Sequence, residues 1–227
     1  MSFTLEKVVQ WGRSYDEYLR MFVLTNDDLG RQILGCGDGS ASFNAELSQR
    51  GGHIISLDPI YVFDVCQIKS RIAETYEEVM AQTRKNRNEF IWETIPSVED
   101  LGRIRMSAME TFLEDFNAGK QEDRYIAGEL PSLPFDRGRF DLALSSHFLF
   151  LYSTHLSAEF HLQALKEMLR VAHEVRVFPL LMLGGVPSPH LAFVIEQLTN
   201  DGFYVEVKQA PYEFQKGGNE ILVIKTI

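Results

Sequence analysis

Short apolar runs alternate along the chain with longer segments whose apolar residues recur every three to four positions. That alternation predicts stacked β-α-β units around a parallel sheet. The first run, Arg31-Gln32-Ile33-Leu34-Gly35, stops at a glycine cluster, and Ser40 to Arg50 then reads as a helix ended by Gly51-Gly52. His53-Ile54-Ile55-Ser56-Leu57 is a second strand, closed by Asp58-Pro59. Arg124 to Ala127 is a third and Phe140 to Ser145 a fourth. Ser157 caps a helix whose apolar face is Phe160, Ala164, Leu165, Met168, Leu169 and Ala172. A fifth strand spans Glu174 to Phe178, and Ser188-Pro189 predicts the start of a helix burying Leu191, Val194, Ile195 and Leu198. Phe203 to Gln209 and Glu220 to Thr226 read as a final hairpin around Gly217-Gly218.

These elements predict an α/β fold: a doubly wound, mainly parallel seven-stranded sheet with a C-terminal antiparallel hairpin. One segment breaks the rhythm, because roughly sixty-five residues separate strands two and three, where one crossover helix needs far fewer. Two helices fit there. One runs from Asp64 to about Met80, with Val65, Ile68, Ile72, Tyr76 and Val79 on one face. The other begins at Ser97 and carries Leu101, Ile104, Ala108, Phe112 and Phe116, with the polar stretch Gln82 to Glu89 between them. Neither could form a core alone. The expectation is therefore one domain over 1–227, with an N-terminal helical segment over 1–30 and a helical insertion over 62–123. That insertion either caps the site, with Gln82 to Glu89 as its mobile joint, or only widens the outer layer far from the pocket.

Composition changes this picture only by exclusion. With 22 basic and 32 acidic residues the net charge is −10, the wrong sign for a general nucleic-acid binder or a polybasic membrane protein. Two cysteines, Cys36 and Cys66, make no disulfide framework and suit a reducing cytosol. Met1 to Lys7 lacks the basic-then-apolar layout of a signal peptide, and no Cys/His spacing suggests structural zinc. The longest apolar stretch, Val175 to Val186, is too short to span a bilayer. A cytoplasmic location is expected.

The chemistry centres on Gly35-Cys36-Gly37-Asp38-Gly39. Alternate glycines let the backbone turn sharply out of a strand and admit a ligand where a Cβ would clash. The helix that follows presents free N–H groups beside that ligand. Dinucleotide enzymes use G-x-G-x-x-G, whereas here the third glycine falls one position early and Ser40 follows it. Without a ligand, the same motif is a tight strand–helix turn. Asp58, at the end of strand two and about twenty residues on, has the spacing of a ribose-binding acid, though a loop Asp before proline is common.

The order of strand, glycine turn, helix, strand and acid resembles the Rossmann-like (class I) methyltransferases that use S-adenosylmethionine (SAM). The resemblance covers Arg31 to Ile227. It implies that Gly35, Cys36, Gly37, Asp38 and Gly39 contact the methionine part of SAM, that Asp58 takes the ribose, and that Pro59 flanks the adenine. Glu129 and Leu130, after strand three, would sit against the adenine; Ser145 and Ser146, ending strand four, would lie beside the methyl group. Trp11 to Phe22 resembles uncharacterised bacterial members, in which Arg13 or Tyr18 would bind the SAM carboxylate; otherwise this segment is an amphipathic helix packing Leu19, Phe22 and Val23 on the sheet edge. His147 is a candidate general base or an orienting residue. The loop Pro211 to Glu220 reads either as a simple turn or as one wall of the acceptor pocket. The expected activity is methyl transfer from SAM to a small-molecule acceptor, with no metal. A nicotinamide-dependent oxidoreductase and a non-catalytic SAM-binding protein are the alternatives, since fold does not fix function.

Overall fold

Alternating residues of the central strands enter two different cores. The computed structural model describes residues 10–226, so the reading of Met1 to Lys7 lies outside the described residues. After helices α1 (Tyr15–Met21) and α2 (Asn26–Leu29) comes β1 (Gln32–Cys36), then α3 (Phe43–Gln49) and β2 (His53–Leu57). The insertion supplies α4 (Val65–Lys85) and α5 (Val98–Gln121). The chain continues through β3 (Tyr125–Ile126), β4 (Phe140–Ser146), α6 (Ala158–Val171), β5 (Ala172–Phe178), α7 (Leu191–Asn200), β6 (Tyr204–Gln209) and β7 (Glu220–Lys225). The seven strands form one sheet in the order β3-β2-β1-β4-β5-β7-β6. All neighbours are parallel except β7, which runs antiparallel between β5 and β6.

Side chains that alternate along a strand go to opposite faces. Leu34, Ala143 and Val175 therefore pack with α6 and α7 residues such as Leu165, Met168 and Leu198. Ile33, Leu142 and Leu144 pack on the other face with Tyr18, Phe22 and Phe43. The N-terminal helix thus covers this face, with Tyr18 stacked on Phe43 at 4.5 Å, rather than the sheet edge. Val23 does not pack; it lies 40% exposed just after α1 with φ 51°.

The insertion builds a third core alongside the β3 edge, where Ile68, Ile72, Met109, Phe112 and Phe116 enclose Tyr61 and Tyr125. Its polar stretch is not wholly a joint. Gln82 to Lys85 complete α4, because Thr83 and Asn86 are polar residues facing inward, 2% and 4% exposed. Thr83 Oγ1 donates to the Val79 carbonyl at 2.7 Å, and Asn86 Nδ2 to the Gln82 carbonyl at 3.0 Å. Two other boundaries move. α3 starts at Phe43 rather than Ser40, because the glycine turn runs on through Ser42. α7 starts at Leu191, because Ser188 Oγ bonds Ser153 Oγ at 2.7 Å and the amide of His190 instead of capping from Ser188-Pro189. No helix among the described residues is long and apolar enough to cross a membrane.

A buried ion pair is a further tie between the insertion and the rest. Arg105 of α5, fully buried, donates through Nη1 and Nη2 (the latter at 2.7 Å) to the carboxylate of Glu17 in α1, which is 2% exposed. Tyr212, on the loop between β6 and β7, donates its hydroxyl to the same carboxylate at 2.7 Å. Removing one partner of such a pair strands a buried charge. Arg105→Ala is therefore expected to lower unfolding free energy by about 3–5 kcal/mol in a denaturant titration. A loss under about 1 kcal/mol would mean that the pair does not hold the insertion in place.

Candidate functional site

A cavity of about 650 Å³ opens at the carboxyl ends of β1, β2, β4 and β5, the side on which open α/β sheets bind ligands. The glycine turn forms its floor through Gly37, Asp38 and Gly39, and Asp58 and Pro59 follow from the end of β2. Glu129 and Leu130 enter after β3, Ser146, His147 and Phe148 from β4, and Phe178 from β5. The N-terminal segment adds Gln10 to Arg13 and Tyr18, the insertion adds Val79, Thr83, Phe90, Leu101 and Arg105, and the β6–β7 loop adds Tyr212 and Phe214. Eleven of the fourteen residues singled out from the sequence thus meet in one space.

The other three sit behind its wall. Cys36 is fully buried in the core, and burial pushes its thiol well above the usual range. Ser145 is also fully buried. Gly35 is needed for a neighbour, since a Cβ there would lie 1.7 Å from Asp38 Oδ2. Only a glycine leaves room for that carboxylate, which accepts from Tyr18 Oη at 2.9 Å and Ser56 Oγ at 2.6 Å. Gly37 and Gly39 have φ of +70° and +54°, the region open to glycine. A Cβ on Gly37 would meet the Phe148 ring at 3.1 Å.

Asp58 is 7% exposed and not a loose loop residue. Its Oδ2 accepts from the amide of Gly39 and its Oδ1 from the amide of Ile60, each at 2.9 Å, so it pins the glycine turn to the end of β2. Each oxygen keeps a second lone pair for a ligand. Burial pushes Asp58 up to about 6 against the partial relief of those two amides. Burial likewise raises Asp38 to about 6; the bonds from Ser56 and Tyr18 oppose this and the charge of Asp58 adds to it.

Two arginines, Arg13 and Arg105, add positive charge to the wall. Burial would raise Glu17, but the charge and hydrogen bonds of Arg105 outweigh it and hold the carboxylate far below its usual range. Burial and the charge of Arg105 pull Arg13 down to about 10. His147, whose Nδ1 lies 2.9 Å from Ser146 Oγ, is kept well below its ordinary value by burial and then by Arg13 and Arg105. It is a neutral imidazole at pH 7. It also holds a left-handed backbone, φ 51°, and such strain in a non-glycine residue tends to mark functional sites.

Four buried polar atoms on the cavity wall have no hydrogen-bond partner among the described residues: Gln10 Oε1, Arg13 Nε, Ser40 Oγ and Arg105 Nε. Buried groups of this kind are rare unless a ligand or water completes them. The sequence reading missed Arg105, although its signal was present: an arginine in helical step with Leu101, Met109 and Phe112 on an otherwise apolar stripe. Among the described residues no group of His, Cys, Asp and Glu could hold a metal ion.

No protein-family model matches the chain. The uncharacterised protein MJ0045 of Methanocaldococcus jannaschii is 32% identical over 222 residues, 97% of each chain. Among solved structures, the mitomycin 7-O-methyltransferase MmcR is 12% identical with a TM-score of 0.50; the match covers 94% of this chain and 54% of that one. The chain therefore spans about half of that enzyme, and the likeness shows the fold. A magnesium protoporphyrin IX methyltransferase from Synechocystis, solved with S-adenosylhomocysteine (SAH), is 14% identical with a TM-score of 0.49 over 94% of this chain and 81% of that one.

The raised carboxylates carry a pH signature. A carboxyl group whose folded pKa is raised favours the fold while protonated, and this advantage disappears as pH climbs through the folded value. For Asp58 the window runs from its ordinary value of 3.8 to about 6. Relative to Asp58→Asn, the ligand-free wild type should lose up to about 3 kcal/mol of stability between pH 4 and pH 7. Chemical denaturation of both proteins across that range checks it, and a constant difference would place Asp58 at an ordinary carboxylate value.

Proposed function

The chain belongs to the family of the archaeal protein MJ0045, and we propose that it is a SAM-dependent methyltransferase acting on a small molecule. One observation supports this above the others. Asp58 and the glycine turn, two weak signals apart, share a hydrogen bond and one cavity, whose wall carries unpartnered buried polar atoms. The fold shared with MmcR, which by its name methylates an oxygen, agrees with the reading.

In this reading Asp58 receives the ribose hydroxyls through its remaining lone pairs, and Pro59, Glu129 and Leu130 flank the adenine. The backbone of Gly37, Asp38 and Gly39, with Ser146, faces the methionine part. Tyr18, whose hydroxyl hydrogen goes to Asp38, braces the turn rather than taking the carboxylate. When bound, SAM supplies a methyl group on a sulfonium centre. The protein's task is then alignment, exclusion of water and placement of the nucleophile. His147, neutral and aimed into the cavity, orients the acceptor by a hydrogen bond. The insertion closes the site: the Ile91 amide donates to the Phe214 carbonyl at 2.8 Å and the Lys216 amide to the Glu89 carbonyl at 3.0 Å. One domain with a cap, in the cytoplasm, is the organisation we infer.

Sheet order argues against the nicotinamide alternative. Dinucleotide folds of the 3-2-1-4-5-6 kind end on a sixth parallel strand, whereas here antiparallel β7 lies between β5 and β6. Isothermal titration should show SAM and SAH binding, with NAD and NADP not binding. Asp58→Ala should weaken SAM by about 1.5–3 kcal/mol, roughly ten- to a hundredfold or more, and should also cost stability because it frees the Gly39 and Ile60 amides. NAD binding without SAM binding would overturn the reading. A metabolite screen for SAM-dependent gain of one methyl separates an enzyme from a non-catalytic binder.

A further inference from the structure

Resting on the methyltransferase reading, we propose that the acceptor half of the cavity takes a small planar aromatic acid, bound as its anion, with Arg13 receiving the acid group. Two features of that half carry the inference, its rings and its charge.

Rings line the wall. Phe178 stands between His147 and Tyr212, at 5.5 and 5.7 Å and steeply tilted to both. Phe90 and Phe214 stack at 5.0 Å and 23° where the insertion meets the β6–β7 loop. Aromatic faces prefer a flat aromatic partner in offset or edge contact. Hydrogen bonds join that loop to the insertion at this end of the wall.

The charge is unbalanced. Glu17 accepts from the amide and hydroxyl of Ser14 at 2.9 and 3.1 Å, from Arg105 twice and from Tyr212, which fills its carboxylate. Arg105 is thereby matched. Arg13 is not: among the described residues it forms no salt bridge, its Nη1 donates to the Trp11 carbonyl, and its buried Nε has no partner. An unpaired guanidinium in such a place is costly, and its planar fork fits a carboxylate or an acidic phenolate. Burial and the charges of Arg13 and Arg105, which together keep His147 neutral, also disfavour an amine bound as its cation.

Two anions compete for Arg13, the methionine carboxylate and the acid of the acceptor. Arg13 lies within reach of both, for its charge acts on Tyr212, Arg105 and His147 and also on Tyr18, whose hydroxyl donates to Asp38 of the glycine turn. The SAH arm of the test therefore assigns it. Benzoate, benzyl alcohol and benzylamine, titrated into the protein with and without saturating SAH, provide the test. Intrinsic fluorescence reports binding, since Trp11 lines the cavity and Trp92 packs on Phe214. Benzoate is expected to bind at least tenfold more tightly than the other two; Arg13→Gln should abolish that preference without changing SAH affinity, and Phe214→Ala should weaken benzoate. Equal binding of the three, preference for benzylamine, or no binding of any probe would overturn the proposal. So would an Arg13→Gln protein with weakened SAH and an intact benzoate preference, which would give Arg13 to the cofactor. Failure of SAH itself to bind would sink the methyltransferase reading instead, and the titration without SAH still reads the anion preference.

Discussion

Glu17 holds three distant stretches of chain around the cavity. Its carboxylate takes Arg105 from 88 positions away and Tyr212 from 195 positions away, while its own helix cap supplies Ser14. A buried ion pair adds little net stability compared with a well-packed apolar substitute, because desolvation offsets most of its attraction. What this one supplies is placement. It fixes the insertion, the first helix and the β6–β7 loop to one point, and all three line the same cavity. Because Glu17 is filled by these partners, Arg13 feels its charge but forms no salt bridge among the described residues.

A second set of buried carboxylates shapes the glycine turn. Gly35 has no side chain because Asp38 occupies that space, and Asp38 in turn holds Tyr18 and Ser56. Asp58 holds Gly39. The glycine turn is thus set by acids on both sides, and each remains less acidic than usual because burial resists its charge. The cavity wall thus carries carboxylates and backbone amides together with arginines and rings. A ribose together with an anionic acceptor matches that combination.

Much of the fold was legible because local pattern and tertiary role agree. β2 runs His53 to Leu57 as read, since its apolar run ends at Asp58-Pro59, where the strand also ends. The final hairpin and the insertion helices followed from turn glycines and apolar stripes. The pattern misled where polar residues face inward: Thr83 and Asn86 made the end of α4 look like a break. It also misled where a side chain had another partner, as with Ser188, which bonds Ser153 instead of capping α7. In the site, the glycine turn and Asp58 were readable from spacing. The pairing of Glu17 with Arg105 was not, because nothing local links residues 88 apart, and only the misplaced polarity of Arg105 hinted at it.

The central claim is that the cavity between these two sets of charges holds the nucleoside of SAM against Asp58. A crystal structure of the protein with SAH tests it most directly. The account predicts both ribose hydroxyls within hydrogen-bond distance of the Asp58 carboxylate, with that carboxylate still holding the amides of Gly39 and Ile60. SAH bound elsewhere, or bound in the cavity with its ribose away from Asp58, would contradict it.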